Sequence, residues 1–496
     1  MHKKVTITLE PLGEKIIVNQ GTPLTDVLHE YGVEFPCGGR GTCGRCKVRL
    51  VKGEMEPDAF HLEKLKKLGL GRDWRLACLC KADSDITLEI SEFESIILAD
   101  NSKFDFKPRK DFGIAVDLGT TTVVLQLVNL ANGYIIDSVP FVNPQGRYGA
   151  DIISRIQACL DGEQEEMQQL IHEKIGMVIA DILSKHSVDV RKVILVGNTA
   201  MHHIFSGLDV RPLSYYPFES PDLGIQRFTP ADLRWPLKEN TDISFYPSIG
   251  SFVGSDILAG ITATKMSESE KFIVLIDLGT NGEIVIGNRE KIVCASTAAG
   301  PAFEGATISH GMRATTGAIS SVSSDNDKFN CHVIGNVKAK GICGSGLIDV
   351  VALLLKQEKI GMFGEINSGL EQIKLMPRVY LTQKDIREFQ LAKAALASGM
   401  QILLNKLGIS FSEVDKVYIA GGFGNFLNIE NVIYTGLIET TEDKIIKFGN
   451  TALIGAKIFL FEEEDFRSKI LNKTEHINLE GDPAFQDIYI EKMMLS

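Results

Sequence analysis

The sequence predicts an α/β protein in two parts, a small α+β module over residues 1–91 and a larger, two-lobed α/β region behind it. Three observations carry this prediction. Five of the nine cysteines fall between positions 37 and 80, in and after a glycine-dense loop. An apolar strand running into Asp-Leu-Gly-Thr occurs at Asp117 and again 160 residues later at Asp277. The phrase Gly-Asn-Thr-Ala also occurs twice, at Gly197 and Gly449, each time opening a helical stretch. Repetition on this scale marks an internal duplication, and 496 residues exceed what one core can organise.

Composition narrows the function classes. Apolar residues make up 44% and charged residues 23%, as in ordinary globular proteins. The net charge of −12, with Lys and Arg scattered, argues against a nucleic-acid partner, which needs a concentrated basic face. No apolar run approaches the roughly 18 residues that cross a bilayer. The N-terminus reads as a strand start without a signal-peptide core. No membrane partner and a cytoplasmic location are therefore expected. Cys159, Cys294, Cys331 and Cys343 stand alone in apolar or Gly-rich stretches, as reduced, buried thiols do.

In the first module, Val5–Leu9 and Lys15–Val18 alternate around Pro11-Leu12-Gly13-Glu14 and predict a hairpin. Thr22 and Pro23 read as the cap and first residue of a short helix, and Ile86–Ile90 reads as a closing strand. Between them lies Cys37-Gly-Gly-Arg-Gly-Thr-Cys43-Gly-Arg-Cys46, with 31 residues separating Cys46 from Cys78. This C-x5-C-x2-C…C spacing is close to the plant-type [2Fe-2S] pattern. A loop wrapping a cluster must turn sharply and aim N–H groups at sulfur, which Gly38, Gly39, Gly41 and Gly44 permit. Cys43-x-x-Cys46 alone would also suit zinc, but zinc sites of this size pair two such knuckles. Cys37, Cys43, Cys46 and Cys78 are the expected ligands, Cys78 lying nearer the expected spacing than its neighbour Cys80.

Residues 92–110 have no clear period and read as a tether, with a modest basic cluster at Lys103–Lys110. Phe112–Val116 then runs into Asp117-Leu-Gly119-Thr120-Thr121, and Phe272–Ile276 into Asp277-Leu-Gly279-Thr280-Asn281. Glycine at a strand end admits phosphate oxygens close to the backbone, and successive N–H and hydroxyl groups donate to them. The aspartate can hold Mg²⁺ directly or through water. Lys416–Ala420 leads into Gly421-Gly422-Phe423-Gly424, whose bare backbone could lie against adenine. Small residues after the repeated phrase (Ala200, Ala452, Gly455, Ala456) would let two helices cross closely at a hinge. Gly341–Gly346 either lines the nucleotide or makes a tight strand-to-helix turn before the helix Leu347–Leu355. Ala298–Arg313 is too glycine-rich for a helix and reads as a loop facing the cleft or a partner. No P-loop signature occurs.

The order 117, 197, 277, 421, 449 resembles the actin-like ATPase superfamily of acetate and sugar kinases, actin and heat-shock chaperones. There these segments correspond to phosphate-1, connect-1, phosphate-2, adenosine and connect-2. The resemblance implies a β-grasp ferredoxin-like domain at 1–91, a linker at 92–110, a first lobe at 111–208 and a second, larger lobe at 209–496, each lobe built on a ribonuclease-H-like sheet. It assigns Asp117 and Asp277 to catalysis, and Gly119, Thr120, Thr121, Gly279, Thr280, Asn281, Gly421, Gly422 and Gly424 to ATP.

The two halves together resemble the reductive activators of corrinoid-dependent enzymes. The segments from Gly300-Pro301 to Ala306 and at Gly421–Gly424 match that family as well. The resemblance implies ATP-dependent transfer of one electron from the cluster to the Co(II) corrinoid of a methyltransferase or O-demethylase system, restoring Co(I). It also implies an external low-potential electron donor, and two chains could pair as a homodimer. With no cysteine after Cys343, the chain falls with the N-terminal [2Fe-2S] branch. None of its ten histidines stands in the D-x-H-x-x-G phrase of His-on corrinoid carriers, so the corrinoid is expected on the partner. A small-molecule kinase with a fused redox sensor, a chaperone-like ATPase and the ferredoxin part of an oxidoreductase are the alternatives.

Overall fold

The computed structural model describes residues 3–10, 14–28, 31, 33, 41, 44, 46–90, 108–279, 281–315, 317–325, 328–334, 337–367, 369–421 and 427–495. The linker expected at 92–110 lies, but for its last three residues, outside them. In the first module β1 (Lys4–Glu10) and β2 (Glu14–Asn19) form the predicted hairpin, in register Ile7 to Ile16. Alternation along β1 buries Val5, Ile7 and Leu9. Thr22 and Pro23 do not open a helix. They form β3, paired with β6 (Lys81–Ala82), and the helix α1 begins only at Thr25 (Thr25–Leu28). Pairing with the segment after Cys80 holds this dipeptide extended, and the Leu24 N–H donates to the Cys80 carbonyl at 3.0 Å.

β4 (Lys47–Lys52), α2 (Ala59–Lys67), β5 (Trp74–Leu76) and β7 (Ile86–Glu89) complete the module. The sheet order is β2-β1-β7-β4-β5. Asp58 caps α2 by accepting from the His61 N–H at 2.7 Å.

The duplication is visible as two sheets built alike. In the first, β8 (Phe112–Leu118) is antiparallel to β9 (Thr122–Asn129) and parallel to β11 (Val190–Gly197), with β10 (Ile135–Val142) beyond β9. In the second, β14 (Phe272–Leu278) is antiparallel to β15 (Gly282–Gly287) and parallel to β22 (Val414–Ala420), with β16 (Ile292–Thr297) beyond β15. Each Asp-Leu-Gly phrase therefore sits at the C-terminal end of a central strand.

The first lobe also carries α3 (Ile152–Ala158), α4 (Gln164–His186) and α5 (Thr199–Ser206). It does not end at 208. After β12 (Gln226–Phe228) and α6 (Pro230–Leu233), β13 (Asp242–Phe245) joins the same sheet parallel to β11. The boundary expected at 208/209 therefore lies past Phe245, because these late strands find their partners in the first sheet. The next element, α7 (Ser255–Ala263), leads into β14.

The second lobe adds β17 (Ala318–Asp325), β18 (Lys328–Val333), β19 (Gly341–Ile342), α8 (Gly344–Lys356), the hairpin β20–β21 (Gln372–Met376, Val379–Thr382) and α9 (Gln383–Leu407). Gly341–Gly346 is the tight-turn alternative: it is wholly buried, and a Cβ at Gly346 would meet the Ile319 carbonyl at 2.3 Å. β23 (Ile445–Gly449) leads to α10 (Thr451–Phe461), and β24 (Thr474–His476) pairs with β16.

Both repeated phrases cap helices as expected: Asn198 accepts from the Met201 N–H at 3.0 Å and Asn450 from the Leu453 N–H at 2.8 Å. The crossing, however, pairs α10 with α7 rather than with α5. A Cβ on Gly455 would lie 2.1 Å from the Ala259 carbonyl oxygen, so the two backbones touch there. A buried cluster of Ala115, Val196, Leu258, Leu275, Ala456 and Phe459, drawn from both sheets and both helices, surrounds this crossing.

Candidate functional site

The cysteine end of the module is held by its sheet. Lys47 of β4 pairs with Leu76 of β5, and the Ala77 N–H donates to the Cys46 carbonyl at 2.8 Å. That register brings Cys46 Sγ to 3.2 Å from Cys78 Sγ. Cys80 turns inward instead, its thiol 4.0 Å from His61 Nδ1. Burial pushes the Cys80 thiol up to about 12 and lowers the His61 imidazole. His61 Nε2 accepts from the Leu76 N–H at 2.8 Å, which fixes a neutral ring.

Gly41 and Gly44 have φ of +68° and +69°, the left-handed region that glycine fills without strain. Two left-handed glycines and two converging thiols fit an iron–sulfur cluster at this place. Cys37 and Cys43 lie outside the described residues.

In the ATPase part, the phosphate-1 loop hangs from its carbonyls. Asn143 Nδ2 donates to the Gly119 carbonyl at 2.9 Å, and the Asn143 N–H to that of Thr121 at 2.8 Å. The Arg155 guanidinium donates to the Thr120 carbonyl. In a trans peptide the C=O and the following N–H point in opposite directions, so the N–H groups of Thr120 and Thr121 face away from Asn143 and Arg155. Asn198 Nδ2 holds the Thr120 hydroxyl at 2.8 Å. The Gly119 position admits no side chain, since a Cβ would meet the Thr122 carbonyl at 2.6 Å. Asn198 and Thr199 of the first lobe line one small crevice with Asn281 of the second, so the Gly197–Ala200 turn comes up to the second Asp-Leu-Gly-Thr loop.

Four carboxylates gather here. Asp117 ends β8 and accepts from Asn450 Nδ2 at 2.7 Å. Asp277 ends β14, and Glu283 stands directly opposite it in the β14–β15 register. Asp256 lies in the first turn of α7, whose start is fastened to β11 by Ser255 Oγ, 3.1 Å from both the N–H and the carbonyl of Gly197. Each keeps part of its surface open while protein encloses the rest. Burial raises Asp117 and Asp277 to about 6, with the Asp117 charge adding to the shift at Asp277. Asp256 is raised to about 7 by burial and then by Asp277 and Asp117. Glu283 is raised well above its ordinary value by burial and the charges of Asp256 and Asp277.

Mutual repulsion of this kind calls for a cation. Among the described residues no three His, Cys, Asp or Glu side chains are gathered to hold a metal by themselves. Mg²⁺ suits that arrangement, because it takes one or two carboxylates and fills its shell with water and phosphate.

Gly421, expected under adenine, sits against the carboxylates. Its φ is +83°, and a Cβ there would come 3.0 Å from Asp277 Oδ1. Gly422, Gly424 and Thr280 lie outside the described residues. The loop from Ala298 to Arg313 is non-helical, as expected, and Arg313 is near enough to influence Arg155 of the other lobe. Asp256, Glu283 and Arg155 are site residues that motif reading misses. Only Glu283 left a signal, as the residue that a hairpin turning at Gly279–Asn281 sets across from Asp277.

Comparison with known proteins accounts for nearly the whole chain. Residues 7–83 match the 2Fe-2S iron-sulfur cluster binding domain, 112–269 the RACo middle region, and 271–496 the C-terminal domain of RACo, the ASKHA domain. The corrinoid activation enzyme RamQ of Eubacterium limosum is 29% identical, the match spanning 97% of this chain and 98% of that one. The [Co(II) methylated amine-specific corrinoid protein] reductase of Methanosarcina barkeri is 26% identical over 76% of each. Among solved structures, a reductive activator for corrinoid,iron-sulfur protein superposes with a TM-score of 0.67 at 25% identity, covering 99% of this chain and 98% of that one. With a cluster-binding domain, a middle region and an actin-like ATPase domain in one order along the chain, the protein belongs to the RACo family.

Proposed function

We propose that this protein spends ATP to pass one electron, through a [2Fe-2S] cluster on Cys37, Cys43, Cys46 and Cys78, to the Co(II) corrinoid of a partner protein, regenerating Co(I). The observation that carries the reading is the union in one chain of a converging cysteine pair and a cluster of carboxylates gathered from the two Asp-Leu-Gly-Thr strands. Relatives named for corrinoid activation and Co(II) corrinoid reduction match 97% and 76% of the chain. The partner we propose is the corrinoid protein of a methyltransferase or O-demethylase system. The electron comes from an external low-potential donor, the setting is the cytoplasm, and two chains can act as a homodimer.

Bound by the four cysteines, the cluster supplies one-electron chemistry. The rest falls to the chain's own residues. The N–H groups of Thr120 and Thr121 receive phosphate, and Asp117 and Asp277 position Mg²⁺. Asn450 and Ser255 tie α10 and α7 to the first lobe's phosphate strand and its neighbour β11. Closure around the nucleotide is thereby coupled to the helix crossing. ATP is needed because Co(I) is a stronger reductant than such a cluster, and each ~60 mV of adverse gap costs about 1.4 kcal/mol for one electron. Nucleotide can offset that gap only through different affinities for two states of the complex.

The test follows Co(I) by its visible absorption, with corrinoid partner and a strong reductant present. Wild type with ATP should form Co(I), whereas wild type without ATP and Asp277→Ala with ATP should not. Equal Co(I) in all three would remove nucleotide from the mechanism. Phosphorylation of an added sugar or carboxylic acid would favour the kinase reading.

A further inference from the structure

Arg155 is among the most deeply buried side chains of the protein, 1% exposed, and the acceptors of its guanidinium are all neutral. Its Nε donates to the Gly149 carbonyl at 2.9 Å, and one terminal nitrogen approaches Gln145 Oε1 and Met201 Sδ, both at 3.3 Å. The other terminal nitrogen reaches the Thr120 carbonyl within the phosphate-1 loop. A buried guanidinium normally lies against a carboxylate, because the desolvation cost is offset only by a close opposite charge. Asp151, whose charge reaches Arg155, caps α3 by accepting from the Ser154 N–H at 2.7 Å and the Ser154 hydroxyl at 3.0 Å and is not among the hydrogen-bond acceptors of the guanidinium. Burial, opposed by the charge of Asp151 and reinforced by the like charge of Arg313 on the opposite lobe, pushes Arg155 down to about 9. The positive charge is thus placed directly behind a loop whose N–H groups face the other way.

We propose that Arg155 is a positioning residue of the nucleotide site: it fixes the Thr120 peptide and lends its charge, through the loop, to the β- and γ-phosphates. The inference rests on the reading of this crevice as an ATP site. It deepens that reading by predicting that selectivity for a triphosphate resides partly in a residue that never touches the nucleotide.

The experiment uses the full-length, cluster-loaded protein and measures the Kd of ATP and of AMP by titration calorimetry with Mg²⁺. Arg155→Gln keeps a donor for the Thr120 carbonyl and loses the charge, so ATP should weaken 10- to 100-fold and AMP less than threefold. Arg155→Lys keeps the charge, so its ATP-to-AMP affinity ratio should stay within about threefold of wild type. Equal losses for ATP and AMP in Arg155→Gln would show a merely structural role and overturn the proposal. If Arg155→Gln does not fold, Arg155→Lys decides alone: collapse of its ATP-to-AMP ratio overturns the proposal, and retention upholds it. Wild type that binds no ATP at all would instead sink the nucleotide reading itself, a result distinguishable from any variant's behaviour.

Discussion

Replacing Gly455 by alanine tests whether the contact between α7 and α10 matters to nucleotide chemistry. The added Cβ would lie 2.1 Å from the Ala259 carbonyl oxygen and 2.4 Å from its carbonyl carbon and Cα, where ordinary contact begins at 3.4 Å. All three atoms are backbone, so no rotamer change relieves the clash and the helices must part by on the order of 1 Å. Overpacking of this kind costs about 1–3 kcal/mol, a fall in Tm of roughly 1–4 °C for the ATPase part.

The functional cost should be larger than the stability cost. Asn450, at the head of α10, reaches Asp117 at 2.7 Å, and Asp256 rides on the first turn of α7. A shift of this size stretches the Asn450 bond past hydrogen-bonding length. The expected result is at least a tenfold lower kcat for ATP hydrolysis with corrinoid partner present, while the visible spectrum of the cluster is unchanged. Adding Ala259→Gly should not rescue, because the clashing atoms remain. Wild-type Tm together with wild-type hydrolysis would refute the reasoning, since a touching crossing cannot absorb a methyl group unnoticed.

Two further outcomes follow from the two site geometries. Cys78→Ser should bleach the visible absorbance and lower bound iron, whereas Cys80→Ser should retain both, because Cys78 converges on Cys46 while Cys80 turns toward His61; the reverse result would exchange their roles. Mg–ATP affinity should rise at least tenfold between pH 5.5 and 8, as Asp117 and Asp277 (about 6) and Asp256 (about 7) lose protons that compete with the metal. These carboxyls are raised in the fold, so the native state without metal binds protons more tightly than the unfolded chain. Its Tm should therefore fall as pH climbs from the ordinary carboxylate value of 3.8 to about 7, and a flat profile there would contradict the clustering.

Much of this arrangement was legible because it is local in sequence. The cysteine loop, the strand ending at Asp117 and its copy at Asp277 declare themselves within ten residues each, and their chemistry depends on backbone shape that glycine controls. What escaped is tertiary. Gly197-Asn198 and Gly449-Asn450 are the same phrase, and both asparagines cap helices, yet only the second helix enters the crossing. Its partner begins at Ser255, where no repeated phrase stands, because the requirement there is close approach of small residues and not a binding motif. Asp256 owes its place to that helix, and Arg155 to the fold of α3 under a loop 35 residues earlier. Thr22 and Pro23 misled for the same reason: good helix-start residues were recruited to a strand by the distant partners Ala82 and Lys81. The lobe boundary failed likewise, since β12 and β13 reveal their sheet only through pairing with β11.

The electrostatics of the crevice explain why so many of its groups are expensive when nothing is bound. On one side stand Asp117, Asp256, Asp277 and Glu283, raised in pKa by burial and, for three of them, by one another's charge. On the other lie inward-facing N–H groups backed by a buried guanidinium with neutral acceptors. A divalent cation alone satisfies the first set and worsens the second, while a polyphosphate alone does the reverse. Only the two together neutralise both, so metal and nucleotide should bind cooperatively, each raising the other's affinity by the same factor. The carboxylates come from both lobes, with Asp256 on one crossing helix and Asp117 bonded to the head of the other. On the proposed reading, binding of the Mg–nucleotide pair would relieve the repulsion between the lobes and favour closure. On the same reading, hydrolysis would have a mechanical consequence: loss of the γ-phosphate would break the charge balance and bring back the repulsion between the lobes.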